Sequence, residues 1–69
     1  MSKLNLRQAR EKAGVSEEFV AEQMGVSVEL VKSWEAGERS PGMAQGFSLS
    51  MLYGMSLNDI TFNLRAQEA

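Results

Sequence analysis

Between Ser27 and Arg39 the chain sets out, at intervals of about one helical turn, a short run of side chains able to read hydrogen-bonding groups on another molecule. Ser27 and Ser33 carry hydroxyls that donate or accept, and Glu29 only accepts. Lys32 and Arg39 are cationic donors, and Val28 offers branched methyls. On a helix, positions 28, 29, 32 and 33 fall on one side, because residues three and four apart are neighbours. That inventory suits base edges and phosphates. A valine can sit against a thymine methyl, a glutamate can accept from cytosine N4, a lysine can reach guanine or phosphate, and a serine can bond either. The alternative is that Val28 and Glu29 are ordinary exposed helix residues. Catalysis is poorly served. The 69 residues include no His and no Cys, and there is no glycine-rich phosphate loop and no acid pair in an evident pocket. Zinc would lack its usual ligands. We expect no enzyme, no metal, no cofactor and no small-molecule ligand, since a chain this size has little room for a closed site.

Reading residues must be held out on a short, well-anchored helix, and the local pattern supplies one. Residues 16 to 39, SEEFVAEQMGVSVELVKSWEAGER, read as two helices joined by a tight turn, a helix-turn-helix. Ser16 and Ser27 are cap residues whose hydroxyls meet otherwise unpaired backbone N–H groups. Gly25 sits where the first of the two must stop, at the left-handed position glycine tolerates best. Val20, Ala21 and Met24 line one face of that helix, and Val31 and Trp34 one face of the next. Val15 and Val20 are spaced as a hydrophobic staple. Glu17 and Glu18 fall in a first turn, where negative charge suits the helix dipole.

The remaining elements frame this pair. Asn5 caps a helix running to about Ala13, stopped by Gly14. The helix from Val28 ends near Ala36 at Gly37, and the loop Glu38–Gly42 contains the one proline. A fourth helix covers roughly Met43 to Tyr53, stopped by Gly54, and Ser56 caps a last short helix with Asp59 three residues on. Met1–Leu4 reads as a frayed lead-in, and Leu57, Ile60 and Phe62 as core or contact residues. The expected fold is all-α: a compact five-helix domain with a central helix-turn-helix. It is a single domain over residues 1–69, with its core over about 5–62 and a loose tail at 63–69.

At WEAG (Trp34 to Gly37), taken with Ser16, Ala21, Gly25-Val26-Ser27 and Pro41, the sequence resembles the Cro/C1-type helix-turn-helix family, the phage-repressor-like or XRE proteins. The resemblance runs from about Leu6 to Ile60. It implies a lambda-repressor-like five-helix domain that binds operator DNA as a dimer, recognition helices in successive major grooves. It makes the helix starting at Val28 the recognition helix, with Ser27, Val28, Glu29, Lys32 and Ser33 near bases. Arg39 becomes the best phosphate contact, with Arg7 and Lys3 further out. Ser16 and Glu17 fall where such domains meet the backbone, although the usual glutamine is here the carboxylate of Glu17. Arg10 and Glu35 occupy the positions of an arginine–glutamate pair that ties the first helix to the third. Family spacing also makes Met43, Gly46, Leu49, Ser50 and Tyr53 the inward positions of the fourth helix.

Charge and apolar excess complicate this expectation. The net charge is −2, seven Lys+Arg against nine Asp+Glu. Within Ser16–Arg39 the acids are Glu17, Glu18, Glu22, Glu29, Glu35 and Glu38, opposed by Lys32 and Arg39 alone. An acidic face loses steering and counterion release at a phosphate lattice, so weak half-sites used in pairs are expected. Phe19, Phe47 and Met51 are apolar where the family pattern is polar or flanking. Either the fourth helix is rotated so that Phe47 fills the space at Gly46, or an exposed strip meets another subunit or protein. Two functions follow. The first is a sequence-specific, dimeric DNA-binding transcriptional regulator, such as a repressor, bound to double-stranded operator DNA. The second is a helix-turn-helix domain acting through protein contacts as an antirepressor-like or accessory factor, with Phe47, Met51 and Phe62 toward the homodimer or protein partner. No apolar run reaches membrane-spanning length, and without a secretory signal or cysteines a cytoplasmic location is expected.

Overall fold

Three of the four helices begin at a polar cap, and all four end at a glycine. The computed structural model describes residues 3–62. Strand β1 (Leu4–Asn5) leads into α1 (Leu6–Ala13), α2 (Glu17–Met24), α3 (Val28–Ala36) and α4 (Met43–Tyr53). A single 3-10 turn (Leu57–Asp59) and strand β2 (Ile60–Thr61) follow. The Asn5 side chain accepts from the Gln8 N–H at 2.8 Å while the Gln8 side chain accepts from the Asn5 N–H at 3.0 Å, a reciprocal capping box. Ser16 Oγ accepts from the Phe19 N–H at 3.0 Å and Ser27 Oγ from the Leu30 N–H at 3.1 Å. At the start of α4, Gly42 has no side chain to offer, and Gln45 Oε1 reaches back to its N–H at 2.8 Å instead.

The core forms where the apolar faces of α1 to α4 converge. Leu6 and Ala9 of α1, Val20 and Ala21 of α2, Val31 and Trp34 of α3, and Leu49 and Tyr53 of α4 are buried together with Ile60 of β2. Val15, the staple residue ahead of α2, packs against this cluster. The α2–α3 contact is the most extensive between elements, and α4 packs on both α1 and α2.

Three expectations are corrected. The fold is four α-helices with a strand pair rather than five helices, because Leu57–Asp59 completes only one 3-10 turn before the chain extends. Leu4, expected in a frayed lead-in, is instead held in place: with Asn5 it pairs in parallel with Ile60–Thr61, Leu4 opposite Ile60 and Asn5 opposite Thr61. Met43, expected inward, is 74% exposed. The inward face of α4 is centred on Gly46, Leu49, Ser50 and Tyr53, and the chain just ahead of α4 already buries Pro41. The expected loose tail at 63–69 lies outside the described residues.

The fourth helix also resolves its own alternative. Gly46 is buried, and a Cβ built there would lie 3.5 Å from the ring of Phe62. Phe62, not Phe47, occupies the space beside the glycine. Phe47 is left 53% exposed, and Phe62 packs against the core beside Gly46.

Candidate nucleic-acid interface

The turn between α2 and α3 fixes how α3 is presented. Gly25 has φ +70°, a left-handed conformation strained for any residue with a Cβ. It lets the chain reverse within three residues before Ser27 caps α3. At nine residues, α3 is about 13.5 Å long. Val31 and Trp34 pin one side of it into the core.

On the opposite side Ser27, Glu29 and Lys32 are exposed, as is Arg39 in the following loop. Ser27, Glu29, Ser33 and Arg39, together with Leu30, line one concavity of about 290 Å³. The structure thus brings four of the expected residues to one place. Leu30 is not among the residues the sequence singles out; it is half-buried and packs against the core. Val28 and Lys32 lie one turn apart outside this concavity, and Val28 is half-buried against the core, so only part of its methyl surface faces outward. Ser33 donates its hydroxyl proton to the Leu30 carbonyl at 2.7 Å, leaving its oxygen as an acceptor only. The Ser16 and Ser27 oxygens accept backbone N–H groups as caps, so their own protons remain available to a phosphate oxygen.

Behind this face, Arg10 and Glu35 form the expected pair. Arg10 Nε donates to Glu35 Oε2 at 2.7 Å and its Nη2 to Oε1 at 3.4 Å, while Nη1 donates to the Val15 carbonyl at 3.0 Å. The side chains are only 14% and 7% exposed. One guanidinium therefore joins α1, the α1–α2 turn and α3. Removing one partner of such a pair costs about 3–5 kcal/mol, most of it the penalty of leaving the other charge buried alone. Burial pushes the Glu35 carboxyl above its usual range, and nearby Glu17 adds to this, while the Arg10 hydrogen bonds oppose it. Burial, with the Glu35 charge beside it, likewise raises the Tyr53 hydroxyl to about 12.

Glu17, placed by the resemblance near phosphate, is half-buried and belongs electrostatically to this Arg10–Glu35 cluster. The ion pairs among the described residues are Arg7–Glu11 and Arg10–Glu35. Lys32 and Arg39 are therefore exposed cations without an ion-pair partner, both on the α3 side. Arg7 is already engaged with Glu11 at 3.3 Å.

A family model described as helix-turn-helix matches residues 6–60, from the first residue of α1 to the first of β2. The chain belongs to the Cro/C1-type helix-turn-helix family. Comparisons with curated proteins and with solved structures return no match. The family is one of DNA-binding regulators. Among the described residues no helix is long and apolar enough to cross a membrane.

Proposed function

We propose that this chain is a sequence-specific DNA-binding transcriptional regulator of the cytoplasm, binding its operator as a pair of copies with α3 in the major groove. The observation that carries the reading is the outer side of α3. Its exposed polar residues, with Arg39, stay free of core packing, and Lys32 and Arg39 have no ion-pair partner among the described residues. Lys32 and Arg39 supply the charge, Ser16 and Ser27 donate to phosphates, and Glu29 with the exposed edge of Val28 contacts bases. Neither catalysis nor a cofactor enters this reading.

Fluorescence-polarisation titration with duplex DNA at low salt tests it. The unaltered protein binds, and Lys32→Ala and Arg39→Ala each weaken binding about tenfold and flatten its salt dependence by about one unit. Absence of binding even to non-specific duplex at low ionic strength would sink the proposal. A second reading, regulation through protein contacts alone, is favoured by the acidic residues around α3 and by the exposed apolar residues of α4. It would leave the protein without DNA affinity and with a partner lost on substitution of Phe47.

A further inference from the structure

Leu30 breaks the polar pattern of the concavity at the start of α3. It is the one apolar side chain there, beside Ser27, Glu29, Ser33 and Arg39, and it is half-buried, packed on the core by part of its surface. Both serines are tied to its backbone: Ser27 Oγ accepts the Leu30 N–H at 3.1 Å, and the Ser33 hydroxyl donates to the Leu30 carbonyl at 2.7 Å. Glu29, the preceding residue, is exposed. It makes no ion pair or side-chain hydrogen bond among the described residues, although Arg39 lines the same space. A free carboxylate offers acceptors and no donor. Consecutive residues thus bring a pure acceptor and an apolar contact to one small space.

The base edge that fits must carry a donor and an apolar group side by side. In the major groove guanine presents two acceptors, and adenine a donor beside an acceptor with no apolar group. Thymine has the methyl, but next to it stands the O4 acceptor, which a carboxylate repels. Cytosine has the N4 donor, and the ring carbon beside it is the one that bears the methyl in thymine. A methyl on that carbon completes the match. We infer that this concavity reads 5-methylcytosine, Glu29 accepting from the N4 amino group and Leu30 covering the methyl, so that a methylated half-site is preferred over the same sequence unmethylated. Arg39, lining the same space, offsets the cost of bringing the Glu29 charge close to phosphates. One buried methyl is worth about fourfold in affinity, which sets the expected size of the preference. The inference rests on α3 entering the major groove as proposed above and names the base it reads there.

In-vitro selection from two random duplex pools, one made with cytosine and one with 5-methylcytosine, followed by polarisation titration of the recovered site, tests this. The recovered half-site holds cytosine at one common position. There 5-methylcytosine binds about fourfold tighter than cytosine, and a T·A pair binds at least about tenfold more weakly. Leu30→Ala, with its helical circular-dichroism signal checked, loses the methyl preference and keeps the preference for cytosine over thymine. Glu29→Gln, at an exposed position, does the reverse, because an amide donates as well as accepts: it tolerates thymine and still favours the methyl. Equal or weaker binding of the methylated site would overturn the inference, and so would a Glu29→Gln protein that rejects thymine as before. The methyl comparison alters only the DNA, so it decides even where Leu30→Ala fails to fold. Binding that ignores the methyl overturns this inference alone, whereas no binding to either pool overturns it together with the reading role of α3.

Discussion

Glu35 shows how one side chain serves the fold and conditions the surface in front of it. Its carboxylate lies on α3, within one turn of Lys32 and Ser33, yet it is turned inward onto Arg10. That pairing removes one negative charge from the outer balance of the α2–α3 unit, so the face is less acidic than its sequence. The pair was legible from the resemblance, because Arg10 and Glu35 fall at matching positions. The third bond, to the Val15 carbonyl, was not, since a backbone acceptor leaves no mark in residue type. The raised carboxyl of Glu35 has a consequence for stability. The folded state holds this proton more tightly than the unfolded chain does. Its contribution is therefore fully present below the ordinary glutamate value of about 4.3 and is lost as pH rises through the higher native value. Urea midpoints measured upward from about pH 4.5 should include this declining component, and Glu35→Gln should lack it. Matching pH profiles for the two proteins would count against the assignment.

Among the elements, the four helices were readable almost to the residue. Asn5, Ser16 and Ser27 cap three of them, and Gly14, Gly25, Gly37 and Gly54 stop all four at positive φ. Local signals of this kind act within one turn and survive in a single sequence. The contact between Gly46 and Phe62 acts across elements, and nothing near Gly46 announces it; Phe47, its neighbour, looked the better candidate to fill the gap. The geometry there leads to a stability prediction. A Cβ at position 46 would meet the Phe62 ring at 3.5 Å, an ordinary van der Waals distance. Gly46→Ala should therefore gain helix propensity without a clash and raise the unfolding free energy by about 0.5–1 kcal/mol. A loss of stability in denaturant titration would show that Phe62 needs the bare backbone. Leu30 marks the same limit at the candidate site. An apolar side chain carries no polar signal of its own, and only the three-dimensional arrangement places it on the concavity.

At the scale of the whole molecule, the two surfaces that matter divide the chain between them. Lys32 and Arg39 lie on α3 and the loop after it, and the uncharged stretch from residue 40 to 58 carries α4. The pairing of Leu4 with Ile60 is the contact that binds this arrangement from end to end, and it also sets an order in time. Helix packing joins α2 to α3 close in the chain and α1 to α4 across it, whereas the strand pair closes a still longer loop that spans nearly the whole described sequence. That closure costs chain entropy which grows with loop length, so contacts of this kind form after the helices have assembled. Ile60→Ala should accordingly leave the refolding rate within about twofold of the unaltered protein while speeding unfolding by tenfold or more. Stopped-flow chevrons would show this as a raised unfolding limb, and a refolding limb slowed in proportion to the lost stability would contradict it. The two residues of each strand thus act as the latch that closes last and opens first, and the lifetime of the folded state is set where the two ends of the fold meet.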